Sequence, residues 1–230
     1  MTTQVTVERT TVDAPTPAVL RRLAHPGRPA AAWLTAATLA PVLAALVGIA
    51  MIAHATRVRN GDSTYYFGEN RAGTYTNVAL LVACAAAAHA TARRTSAAAD
   101  PAARRFWTFN AAAFAFLAAD DQFSIHENLD KGVHWLFGMD PRHKVTTHLD
   151  DLIVLDYGVA LLCVWWRHRA TVLRHPWMIW AMAAGGAQFA TMVAFDLFHL
   201  GKGTEEILKM SASATIAAAL LEPTMNTAPR

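Results

Sequence analysis

Residues 30–53 read AAAWLTAATLAPVLAALVGIAMIA, a run of 24 residues without a single charge. As a helix this run would be about 36 Å long, enough to cross a hydrocarbon core of about 30 Å. It makes the chain a membrane protein and sets how its flanks are read. On the N-terminal side, residues 1–29 are polar, rich in Thr, Pro and Arg, and read as a cytoplasmic tail. The apolar run exceeds the length of a signal-peptide core, so cleavage is not expected.

Five further apolar segments follow: about 75–92, 106–119, 152–166, 177–200 and 205–221, the last ended by Pro223. Asp100-Pro101 opens the third, an N-cap acid followed by proline in the first turn. The expected fold is all-α: a polytopic transmembrane bundle of six spans over residues 30–222, with a C-terminal tail at 223–230. The third, fourth and sixth segments reach spanning length only by taking in acidic residues at one end.

Charge distribution sets the orientation. Twelve of the 20 basic residues, all arginine, lie in the segments that share a side with the N-terminus. The positive-inside rule then predicts an N-in, C-in protein of the plasma (inner) membrane. Six of the seven tryptophans (all but Trp135) fall near the inner boundary, as an interfacial belt would. Apolar residues make up 54% of the chain and charged residues 16%. The net charge of +3 with scattered arginines argues against a nucleic-acid partner. Cys84 and Cys163 both sit in apolar runs, so no disulfide framework is expected. The alanine runs 85–88, 111–113 and 217–219 read as close helix contacts. Nothing in the sequence sets the oligomeric state.

Polar clusters interrupt four segments: Asp120-Asp121-Gln122-Phe123-Ser124-Ile125-His126-Glu127-Asn128; His148-Leu149-Asp150-Asp151 with Asp156; Asp196-Leu197-Phe198-His199; and Glu205-Glu206 with Lys209. With six spans, all four fall at the extracytoplasmic face. Residues 120–156 and 196–206 hold 11 of the 17 acids, and all four lysines share that side. Crowded carboxylates at low dielectric must bind protons, pair with Lys or His, or hold a metal cation.

Asp196 and His199 stand one helical turn apart, as do His148 and Asp151 in the reverse order. Candidate metal ligands are Asp120, His126, His148, Asp196, His199 and Glu206. His with carboxylate suits zinc, manganese or iron. Glu127 or Asp151 is the candidate base, and Ser124 the group that orients water or substrate. In one regular helix Asp120, Ser124 and Glu127 share a stripe continued by Lys131 and His134, and His126 points away; only a break would bring it in. Glu205 and Lys209 are spaced for an ion pair, with Glu206 within reach of Ser213. His134 reads as interfacial, Asp130 as a loop residue, and residues 61–74 as a solvated loop.

The strings at 120–127 (Asp-Asp-x-Phe-x-x-His-Glu), 149–154 (Leu-Asp-Asp-Leu-Ile-Val) and 205–209 (Glu-Glu-x-x-Lys) resemble a pattern in bacterial multi-pass membrane proteins of unknown function, over about residues 105–220. That resemblance implies an outer-face polar site and no particular activity. Ser124, Asp120, His148 and His199 are similar in type to the zinc-site residues of the alkaline ceramidase and progestin-receptor-like membrane hydrolases. This chain departs from that superfamily in lacking a seventh span and an H-x-x-x-H pair near its end. Three functions stay open: a metal-dependent hydrolase of a lipid or amphipathic substrate, a proton- or cation-coupled transporter, and a non-catalytic component with a structural polar network.

Overall fold

The computed structural model describes residues 28–58, 65–67, 71–139, 149–197 and 202–226. Among these the chain is entirely helical: α1 (Arg28–Val58), α2 (Ala72–Arg94), α3 (Pro101–Phe123), α4 (Ile125–Phe137), α5 (Leu149–Arg167), α6 (Arg169–Val172), α7 (Pro176–Leu197) and α8 (Lys202–Asn226). Three stretches are long and apolar enough to cross a membrane: Leu39–Val58, Ala72–Arg94 and Pro176–Phe195. They make this a membrane protein. The other long helices, α3, α5 and α8, carry charged residues within their length.

The expected start of α3 is present. The Asp100 carboxylate accepts a hydrogen bond from the Ala103 amide at 2.9 Å, with Pro101 beside it. Arg174, before α7, pairs with the other Asp100 oxygen. Both contacts hold the Asp100 carboxyl below its ordinary pKa, the amide bond more than the guanidinium. The pair also places the start of α3 beside the start of α7.

Helix α8 lies at the centre and packs against α1, α2 and α7. Nearly every residue from Met210 to Leu220 is buried. Lipid tails are as apolar as leucine, so close packing and hydrogen bonds must hold such helices together. Glycines provide the close approach. A Cβ added at Gly48 would come 2.5 Å from the Ile207 side chain, one at Gly203 2.9 Å from Ile52, and one at Gly185 2.8 Å from Ile216. Ala88, Ala218 and Ala219 are buried as expected for alanines at helix contacts, whereas Ala112 is exposed.

Two expectations change. Pro223 does not end the last helix: α8 runs through it to Asn226. Part of the stretch expected to be a solvated loop packs down. Phe67 is buried, and the Gly73 amide donates to the Tyr66 carbonyl at 2.9 Å. A Cβ at Gly73 would meet the Phe67 ring at 2.8 Å, so glycine lets that segment close over the start of α2.

Candidate functional site

The polar residues at the end of α3 are arranged around a break. Ser124 adopts φ 48° and ψ 48°, the left-handed region, and is the only non-glycine described residue to do so. It ends α3, with its amide donating to the Asp120 carbonyl, and begins α4. The stripe expected to run from Asp120 through Ser124 to His134 is therefore not continuous. One left-handed residue turns the chain and resets the helical phase.

That reset resolves the position of His126. Its backbone amide donates to Asp120 Oδ1 at 2.8 Å, and its ring Nδ1 lies 2.8 Å from Asp120 Oδ2. A carboxylate only accepts, so Nδ1 carries the hydrogen. No described residue partners Nε2. The Asp120 side chain is 7% exposed and that of His126 21%, so the carboxylate is enclosed while the ring is reachable. The hydrogen bond to Asp120 raises the His126 pKa, with burial opposing it. Asp120 thus directs both oxygens at one residue and serves to orient a histidine.

Its neighbour Asp121 faces elsewhere. Oδ1 pairs with Lys209 on α8, and Oδ2 accepts from Asn77 Nδ2 on α2 at 3.0 Å. Asn77 Oδ1 in turn accepts from Ser213 Oγ on α8 at 2.6 Å. This buried chain ties three helices together. Lys209 pairs with Asp121, while Glu206 and Glu205 on its own helix also lie close enough to act on its charge, and Ser213 donates to Asn77. Asn77 was missed in the sequence. Its signal was a lone amide inside an apolar run, which membrane helices use for contacts between them.

On α4, Glu127 Oε2 lies 3.5 Å from Lys131 Nζ. Asp130 is helical, not a loop residue, and His134 is buried. The His134 Nδ1 lies 2.9 Å from the Asp130 carbonyl and 2.7 Å from its Oδ1. His134 Nε2 is buried without a hydrogen-bond partner among the described residues. Tyr157 on α5 faces α3, its ring edge-on to Phe116 at 5.2 Å, with a hydroxyl likewise unpartnered among the described residues. Asp156 is exposed on α5.

Of the other candidates, His148 and His199 lie outside the described residues, and Asp151 and Asp196 are placed on α5 and α7 by their backbones alone. Glu206 lies on α8 one turn before Lys209. Among the described residues, no three His, Cys, Asp or Glu side chains form a group that could hold a metal ion.

A family model described as a domain of unknown function, DUF8692, matches residues 29–222. The chain belongs to the DUF8692 family. The matched region includes both the Asp120–His126 pair and the Asp121–Lys209–Asn77–Ser213 chain, so both systems lie within the DUF8692 domain. No curated protein and no solved structure matches the sequence.

Proposed function

We propose that the chain is a six-span protein of the plasma membrane with both ends cytoplasmic, and that its outer-face site hydrolyses a lipid or amphipathic substrate. In this reading α3, α5 and α8 join the three apolar spans, and arginines mark the inner side. The observation that carries the proposal is the Asp120–His126 pair. A carboxylate on Nδ1 fixes the ring and its tautomer and leaves Nε2 for chemistry.

The same geometry serves a histidine base or a histidine metal ligand held by an outer carboxylate. His148, Asp196, His199 and Glu206 are the further proposed ligands. A bound divalent ion would lower the pKa of a water and polarise a carbonyl. Asp120 then acts as a positioning residue and not as a ligand, because its oxygens are already committed to His126. Ser124 acts through its backbone. Glu127 or Asp151 remains the proposed second proton carrier.

The test is hydrolysis of a panel of phospholipids, lysolipids and N-acyl lipids by protein purified in mixed micelles, alongside metal analysis. The expected result is turnover that His126→Gln abolishes and Asp120→Asn lowers by roughly 10- to 100-fold for a metal site. For a histidine base the loss on Asp120→Asn is closer to roughly 10⁴-fold. A protein that carries no metal and turns over none of the panel overturns the proposal.

A further inference from the structure

Helix α4 is amphipathic with its polarity reversed. The side chains it turns toward the protein are His126, Glu127, Asp130 and His134, which are 21%, 29%, 20% and 6% exposed. The outward arc carries Leu129, Trp135 and Leu136, at 49%, 83% and 68%, with exposed Asn128 and Lys131 beside them. A helix on a protein bathed by water shows the opposite arrangement. The reversal has a simple physical cause if the outer medium is lipid, because apolar side chains then lose nothing by pointing away from the protein.

The outward arc is also graded. At about 100° per residue, Leu129 and Leu136 share one edge, while Trp135 and Lys131 share the other. Tryptophan and lysine favour the headgroup layer, where an amphipathic ring or a long stem can bridge oil and water. Helix α3 carries an exposed apolar stripe of its own. Phe109, Phe116 and Phe123, spaced by seven residues on one stripe, are 39%, 43% and 68% exposed. At 13 residues, α4 is too short to span a bilayer.

We infer that α4 lies in the interfacial layer of the bilayer, its Leu129–Leu136 edge against acyl chains and its Trp135–Lys131 edge at the headgroups. The Asp120 carboxylate is then enclosed beneath a helix that is itself covered by lipid, with the His126 ring left reachable beside it. If the hydrolase proposal holds, the substrate is a lipid that reaches His126 sideways from the bilayer, with its reacting group at headgroup depth.

Single nitroxide labels at Leu129→Cys, Leu136→Cys and Lys131→Cys, in a chain lacking Cys84 and Cys163, would test this in proteoliposomes. Accessibility to dissolved oxygen and to a water-soluble nickel chelate is then compared. The expected result is high oxygen and low nickel accessibility at 129 and 136, with nickel rising at 131. Nickel accessibility at 129 and 136 equal to that at 131 places α4 in water and overturns the inference. Labels at 129 and 136 shielded from both reagents put protein there instead, and overturn it too. All three positions are exposed, so the labels displace no packed side chain, and a tryptophan-emission comparison with the unlabelled chain confirms folding. The measurement reads position and not catalysis, so it can fail while the hydrolysis assay succeeds, or the reverse.

Discussion

Removing the Lys209 ammonium while keeping its stem, as Lys209→Met, would leave Asp121 enclosed, its side chain 8% exposed and Asn77 its remaining donor among the described residues, and would take the nearby cation from Glu206 as well. Breaking one side of a buried ion pair costs about 3–5 kcal/mol, because the remaining charge has neither water nor a partner. For a chain of this length each kcal/mol shifts Tm by roughly 2–4 °C, so the variant should melt on the order of 10 °C lower. Adding Asp121→Asn removes the charge paired directly with Lys209, leaves that of Glu206, and keeps a group that Asn77 can meet. The double variant should recover to within about 1–2 kcal/mol of the parent.

The protein supplies its own reporter. Cys84 is fully buried, its thiol facing the Ser213 carbonyl at 3.9 Å, whereas Cys163 is exposed. In a Cys163→Ser chain, a thiol-reactive dye followed during heating in detergent reads the opening of the α2–α8 contact. A Tm for Lys209→Met within about 2 °C of the parent would show that the pair carries little of the fold. A double variant no better than the single one would show that burial of the carboxylate is not what the lysine offsets.

Ser124→Gly should raise stability by about 1 kcal/mol, since glycine takes the left-handed conformation without the steric cost of a Cβ. It should also leave lipid turnover unchanged; loss of turnover with a normal melt would restore the hydroxyl to a direct role. Two histidines should give opposite pH dependences. Burial beside Trp107, with help from Arg174, lowers the His175 pKa to about 4. Its stabilising contribution is therefore complete above about pH 6.5, the unfolded value, and is lost as pH falls through about 4. The His126 pKa is raised by Asp120, so its contribution is complete below about pH 6.5 and fades as pH rises through the folded value. Melting curves across pH should show the acid slope vanish in His175→Phe and the alkaline slope vanish in Asp120→Asn.

The long apolar helices were legible because a water-soluble fold rarely needs an uncharged run of spanning length. Asp100-Pro101 marked a helix start on local chemistry alone. The polar residues were legible as a group but not as partners. Asp120 and Asp121 are adjacent and look interchangeable in the sequence, yet one orients His126 and the other holds α2 and α8. Helical phase alone turned His126 away, and that held only while the helix was taken as unbroken. A signal for the break was present: Ser124-Ile125-His126-Glu127 has the Ser-x-x-Glu spacing that opens helices. Ser124 does stand at that opening, although its side chain makes no capping bond. The links between distant helices, such as Lys209 with Asp121, depend on the angles at which helices cross, and one-dimensional spacing does not encode them.

The central place of α8 bears on how the molecule is made. It is the last of the described helices to leave the ribosome, yet α1, α2 and α7 all pack on it. Until it arrives, Asn77 and Asp121 have each other but lack Ser213 and Lys209, and Gly48 and Gly185 lack the α8 side chains that later fill the space beside them. Assembly is therefore completed from the C-terminal side, and a nascent chain halted before residue 202 would present the Asn77–Asp121 pair without its lysine and hydroxyl partners to whatever surveys unfinished membrane proteins.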